Sequence, residues 1–186
     1  QDEVHRRYAA AVLFVLVDPP HPATLPEPVL LKQCAIGFGR HGGPGGQHRN
    51  KVETSVSIVH EPSGVEAKAT QRRKQAENRR IAIRRLRETL AIELRCRVRR
   101  RGFRPSPLWE TRRQGQKLPV NPRHADYPAL LAEALDVVFA RGFDVAGAAG
   151  MLGVTMSQLA RIIRHQKRAF AVVNEERERR GLSALR

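Results

Sequence analysis

The residues with the most distinctive chemistry lie in one run, Arg40-His41-Gly42-Gly43-Pro44-Gly45-Gly46-Gln47-His48-Arg49-Asn50-Lys51. Gly45 and Gly46 lack Cβ, so the backbone there can take positive φ and come close to another molecule. Gln47 closes the glycine pair with a neutral amide, which has no titratable group and cannot act as a general base. Arg40, His48, Arg49 and Lys51 flank the run and suit phosphate contacts, which need only position and sign; solvated surface charge is the plainer alternative. A phosphate cradle of the P-loop kind is a second way to use such glycines. The Lys-Ser/Thr end of that motif is absent, however, and the glycine spacing is not GxGxxG before a helix. Two cysteines, Cys34 and Cys96, make neither a disulfide framework nor a zinc ligand set. The seven histidines show no metal-ligand spacing, so neither a metal nor a cofactor is expected.

A glycine-rich loop does chemistry only if stiffer elements aim it. The short apolar stretch Leu30–Phe38 predicts a strand before the loop. Gly37 to Gly46, with six glycines and Pro44, reads as neither helix nor strand interior. After the loop, Val52, Thr54, Val56 and Ile58 share one face of an alternating segment, with Ser55 and Ser57 opposite. Glu61-Pro62-Ser63-Gly64 has the residue order of a type I turn, and Val65–Thr70 returns as the second strand of a hairpin. From Gln71 to Arg97 the period becomes helical, with Ala76, Ile83, Leu86, Leu90 and Leu94 forming an apolar stripe.

Charge is the second signal. The 186 residues carry 34 Lys and Arg against 18 Asp and Glu, a net charge of +16. Residues 71–101 hold thirteen of those cations against Glu77, Glu88 and Glu93, which gives this stretch a net charge of +10. Three acids cannot pair thirteen bases, so a polyanion is the natural partner. A membrane surface is the competing polyanion, but the basic helix has no broad Trp/Phe/Leu face behind it. Arg6-Arg7 and the apolar Ala9–Val17 are reminiscent of a signal peptide. The run is too short to span a bilayer, and Asp18-Pro19-Pro20 stands where a cleavage site would fall. A cytoplasmic, monomeric protein is the expectation.

Four parts follow along the chain. Residues 1–28 are an extended, Pro-rich lead-in; 29–98 the catalytic unit; 99–128 a basic linker; and 129–186 a small helical domain. The linker carries Gly102, Pro105, Pro107, Gly115, Pro119 and Pro122. Its Trp109 either stacks on a base or docks against its own chain. In the last part Leu131, Leu135, Val138 and Phe139 share a helical face. The segment Ala148–Leu159, with Gly153 between two apolar helices, is similar to a helix-turn-helix, with Ala148, Leu152, Val154, Leu159 and Ile162 as its core. Arg161, Arg164, His165, Lys167 and Arg168 would then face outward. A final helix over about 166–180 stops at Gly181.

The loop in this context resembles the GGQ signature of class I peptide chain release factors and their ribosome-rescue relatives. The strand before it, the alternating strand after it, His60-Glu61-Pro62-Ser63-Gly64, and Arg72, Arg73, Gln75 and Asn78 opening the basic helix all fit the family's catalytic domain. The resemblance implies an α+β fold, a small mixed sheet with a long basic helix, followed by the helix-turn-helix-like domain. It also implies a ribosome-dependent peptidyl-tRNA hydrolase in which Gly45, Gly46 and Gln47 enter the peptidyl-transferase centre. There the Gln47 backbone N–H would stabilise developing charge, a contribution of about 2.7–4 kcal/mol for one such donor. Its side chain would orient water and exclude larger nucleophiles. Arg40, His48, Arg49, Lys51, Arg72, Arg73, Arg79, Arg80, Arg84, Arg99, Arg100 and Arg101 would contact rRNA.

Release factors also carry a stop-codon-reading domain, for which these 186 residues leave no room. The departure implies codon-independent release, as in rescue of stalled ribosomes. Either the basic segment 95–123 enters the mRNA channel as sensor, or the helix-turn-helix-like unit binds tRNA or rRNA. The rival to hydrolysis is a non-enzymatic RNA- or DNA-binding regulator that uses the C-terminal unit.

Overall fold

The structure, a computed structural model, describes residues 14–39 and 54–186. In chain order they form β1 (Val15–Val17), a 3-10 turn (Pro22–Thr24), α1 (Glu27–Leu31), β2 (Cys34–Gly39), β3 (Ser55–His60), β4 (Val65–Ala69), α2 (Gln75–Glu93) and β5 (Leu94–Cys96). Then come α3 (Pro107–Arg112), α4 (Tyr127–Ala140), α5 (Val145–Leu152), α6 (Met156–Arg164) and α7 (Lys167–Arg179). The α+β class is as expected. The sheet itself is purely antiparallel, in the order β2-β3-β4, and the parallel pairing belongs to a separate pair, β1 with β5.

Alternation builds the sheet. Val56, Ile58 and His60 of β3 and Val65, Ala67 and Ala69 of β4 are buried on the face that α2 covers. α2 meets them with Ala82, Ile83, Leu86 and Leu90, a stripe repeating every three or four residues. Ala76, counted in the stripe from sequence, is exposed; the buried residue of the first turns is Asn78.

Three sequence expectations need correction. The apolar stretch from Leu30 is not all strand, because Pro28 opens a one-turn helix through Leu31 and β2 starts only at Cys34. β2 continues through Gly37 and Gly39, in the stretch read from sequence as unfit for a strand interior. Opposite them stand Ser57 and Ser55, and a Cβ on Gly37 would lie 2.7 Å from Ser57 Oγ. The missing side chains make room for two serine hydroxyls, and Ser55 Oγ donates to the Gly39 carbonyl at 2.8 Å.

The third correction is at the end of α2, which stops at Glu93 rather than Arg97. Leu94 turns extended, and Leu94, Arg95 and Cys96 pair with Val15, Leu16 and Val17. The buried Arg95 guanidinium closes the helix by donating to the carbonyls of Ala91 (2.8 Å), Ile92 and Leu94. It thus satisfies last-turn acceptors that continued helix would have served. Asp136 of α4 lies 3.3 Å from the same guanidinium and also accepts the Cys96 N–H at 3.1 Å. Burial pushes the Asp136 carboxyl up to about 7, against the pull of Arg95.

The lead-in and the proline-rich stretch are packed into this core. His21 is buried; its Nδ1 accepts from Ala23 N–H at 3.0 Å and its Nε2 reaches the Leu94 carbonyl at 3.2 Å. Ser106 caps α3, and the Trp109 indole is fully buried with its N–H donating to the Leu152 carbonyl at 2.9 Å. Trp109 therefore docks against its own chain instead of offering a face to a base. The helical arrangement after residue 129 is as read from sequence: Ala148, Leu152, Val154, Leu159 and Ile162 are all buried. α5 ends on Gly153 at φ 67°, where the Val154 N–H closes back to the Ala149 carbonyl.

Candidate functional site

The frame of the glycine-rich loop is well defined at both ends. β2 ends on Gly39, β3 begins on Ser55, and these two residues are partners in the antiparallel register. The segment between them contains Arg40, Gly45, Gly46, Gln47, His48, Arg49 and Lys51, all of which lie outside the described residues.

Thr54 leads into β3, and its carbonyl accepts from the Asn78 side-chain amide at 2.6 Å. The same amide nitrogen donates to the Arg72 carbonyl at 2.9 Å, and Asn78 Oδ1 accepts the Arg72 N–H at 2.9 Å. One buried side chain thus ties three pieces together: the entry to β3, the turn carrying Arg72 and Arg73, and the first turns of α2. At the other end of the hairpin, His60 joins Ser63 Oγ (2.7 Å) and Gln33 Oε1 (3.1 Å). Burial lowers the His60 pKa, which keeps the ring neutral in this cross-strand lock.

In the sequence Asn78 reads only as one of the residues that open the basic helix. Its signal was present: Asn78, Ala82, Leu86 and Leu90 fall on one four-residue ladder, in which a lone polar member has to be bonded.

The candidate RNA-contacting arginines of the described residues are all exposed: Arg72, Arg73, Arg79, Arg80, Arg84, Arg99, Arg100 and Arg101. Arg84 is also held in place, by Glu88 at 2.9 Å and by the Pro122 carbonyl at 2.7 Å. Other arginines of α2 serve the fold more directly. Arg85 donates to the Lys68 carbonyl, and the half-buried Arg87 donates to the carbonyls of Ala23 and Leu25. Not all of the +10 segment is therefore available to a partner.

Among the described residues no group of three His, Cys, Asp or Glu side chains stands together as a metal ligand set would. A cavity of about 660 Å³ beside β5 contains His21, Cys96, Glu133 and Asp136. Its acids are engaged by the chain itself, since Glu133 accepts the Ser106 N–H at 2.7 Å and the Ser106 hydroxyl at 2.5 Å. The described framework therefore contributes position and positive charge, and no paired nucleophile and base.

The family model of the RF-1 domain matches residues 29–106. That match covers under half of the chain. Those residues take in the β2-β3-β4 sheet, the basic helix α2, β5 and the arginines through Arg101.

The chain is also similar, over part of its length, to several curated proteins. It is 47% identical over 57 residues to the chloroplastic peptide chain release factor PrfB1 of Arabidopsis thaliana, covering 31% of this chain and 12% of that protein. It is 38% identical over 74 residues to a mitochondrial peptide chain release factor 1-like protein of Rattus norvegicus, covering 37% and 20%. It is 37% identical over 86 residues to a mitochondrial peptide chain release factor-like protein of Saccharomyces cerevisiae, covering 45% and 54%. The chain thus spans about half or less of the length of these relatives.

Proposed function

We propose that the chain promotes hydrolysis of peptidyl-tRNA on the ribosome, without reading a codon, in the manner of a factor that rescues stalled ribosomes. The observation that carries the proposal is the RF-1 domain whose paired strands β2 and β3 bracket Gly45-Gly46-Gln47. The relatives named as release factors and release factor-like proteins support it.

The chemistry follows from what the bracketed residues can do. Gly45 and Gly46 let a bare backbone enter a site walled by RNA. The Gln47 N–H then stabilises charge on the transition state or on the departing ribose oxygen, and the side-chain amide orients water. With no titratable side chain at the motif, proton transfer falls to the ribosome and the tRNA's own ribose hydroxyl. Arg40, His48, Arg49, Lys51 and the exposed arginines of α2 and of 99–101 meet rRNA phosphates.

The rival, a regulator that reads duplex DNA or RNA through α5 and α6, is less well supported. In a helix-turn-helix the N-terminal residues of the second helix face the bases. Here that end of α6 is tied to its own chain: the Thr155 N–H donates to the Gln116 carbonyl at 3.1 Å, and Gln158 Oε1 accepts the Leu118 N–H at 3.2 Å.

The test is peptide release from purified ribosome–nascent-chain complexes with stop-codon, sense-codon and mRNA-free A sites. Release is expected in the mRNA-free case, and Gln47→Ala is expected to abolish it while ribosome co-sedimentation persists. Equal release by Gln47→Ala would refute the proposal.

A further inference from the structure

A groove of about 660 Å³ runs between the outer face of α2 and the turn that leads into α4. On one wall stand Arg80, Arg84 and Arg87; on the other stand Arg123 and His124, residues far along the chain from the helix. The wall is held against α2, because Arg84 donates to the Pro122 carbonyl at 2.7 Å. The floor is apolar, with Leu25, Ile83 and Leu108.

The cations of the groove differ in availability. Arg87 spends its guanidinium on two backbone carbonyls, and Arg84 is shared with Glu88. Arg80 and Arg123 are exposed, and among the described residues neither side chain has a hydrogen-bond or ion-pair partner. Two acids line the groove. Asp126 is neutralised from outside it by Arg112, to which it is bonded, and Glu27 lies in the field of Arg87. Two guanidinium groups that have no partner among the described residues, one from α2 and one from the turn before α4, thus line one partly apolar trough with a net positive charge.

We infer that this groove is a binding site for the phosphate backbone of single-stranded RNA, gripped from both sides by Arg80 and Arg123. Arg84 extends the grip. The inference deepens the proposed function and rests on it for the identity of the polymer, because it makes the C-terminal half of the chain part of the RNA-contacting surface. A polymer suits the site better than a single anion. The exposed Arg79 and Arg84 continue the cationic face along α2, and successive phosphates engage them together. The apolar floor gives a ribose or an unstacked base a surface to lie on, as strand-tracking grooves do.

The test uses the full chain and a fluorescein-labelled single-stranded RNA of about 12 nucleotides, the upper range of one groove's site size. Anisotropy titrations run from about 50 to 200 mM salt, where phosphate contacts show as the slope of affinity against salt. Arg80→Ala and Arg123→Ala are each expected to weaken binding by about tenfold. Each should also flatten the salt slope by about 0.7, the value of one single-strand phosphate contact. Both side chains are exposed and unpartnered, so thermal midpoints should not move. Lys68→Ala, at an exposed Lys68–Glu66 pair on β4, controls for loss of one positive charge.

Arg80→Ala and Arg123→Ala behaving like Lys68→Ala would overturn the inference. So would tighter binding of the matching RNA duplex that loses nothing in these variants. Loss confined to binding of phosphatidylserine vesicles, with RNA binding intact, would overturn it in favour of a membrane. The release assay is independent. RNA held in the groove without peptide release would sink the proposed function alone, and release with inert groove variants would sink the groove alone.

Discussion

Replacing Asn78 by Ala removes one side chain that serves three backbone groups. The Arg72 N–H, the Arg72 carbonyl and the Thr54 carbonyl would each lose a partner at 2.9, 2.9 and 2.6 Å. A polar group left unpaired costs about 1–3 kcal/mol when buried, and less where water reaches it. Asn78 is fully buried but its partners are half-exposed, so Asn78→Ala should lose about 2–4 kcal/mol in total. Asn78→Asp is a sharper probe. It keeps the acceptor for Arg72 but sets an oxygen against the two carbonyls that the amide now serves, so it should cost at least as much.

Urea denaturation measures the stability loss. Single-turnover peptide release, run where the variant is still folded, measures how the same clamp positions the segment that ends at Thr54. Release should slow by more than ribosome binding weakens. A loss below about 0.5 kcal/mol with unchanged release would refute the idea that Asn78 positions the loop, since that is the range of ordinary surface substitutions.

Two further outcomes test the core. Asp136→Ala strands the buried Arg95 guanidinium and should cost about 3–5 kcal/mol in urea denaturation. Replacing Arg95 by Met as well should recover only part of it, because Met leaves the Ala91, Ile92 and Leu94 carbonyls without their donor. His21 is held neutral by burial, its pKa lowered from 6.5 to about 4. As pH falls below 6.5 the unfolded chain takes up a proton that the fold refuses, so stability present at neutral pH is lost towards pH 4. The loss should reach about 3 kcal/mol, and it should be missing from His21→Gln. Asp136 titrates in the opposite sense, so the difference between wild type and His21→Gln is the quantity to follow by denaturation at several pH values.

The parts of the fold that were legible in the sequence are those in which one residue type decides locally. Val56 and Ile58 alternate with serines and mark β3; Leu86 and Leu90 mark the inner face of α2; Gly153 ends α5. What escaped was set by distant partners. Nothing near Arg95 says that it will turn back into α2 and meet an aspartate 41 residues away, or that Leu94–Cys96 will leave the helix to pair with Val15–Val17. Gly37 and Gly39 looked like loop because their reason for being in a strand, Ser57 and Ser55, lies across the sheet. The motif of the candidate site is a reading of the sequence alone, since Gly45, Gly46 and Gln47 lie outside the described residues. The grip on its framework was not legible there, because Asn78 takes its role from contacts that only the folded chain brings about.

The pairing of β1 with β5 also has a consequence for how the molecule is made. Val15 must find Leu94 across the whole β2-β3-β4 sheet and helix α2, and among the described residues three rungs reward the closure. Such distant pairings follow, and do not nucleate, the hairpin and helix between them. On a translating ribosome β1 leaves the exit tunnel early and stays without its partner until Cys96 has followed. The same rungs should be among the first to part under stress, well before the sheet beneath α2 gives way.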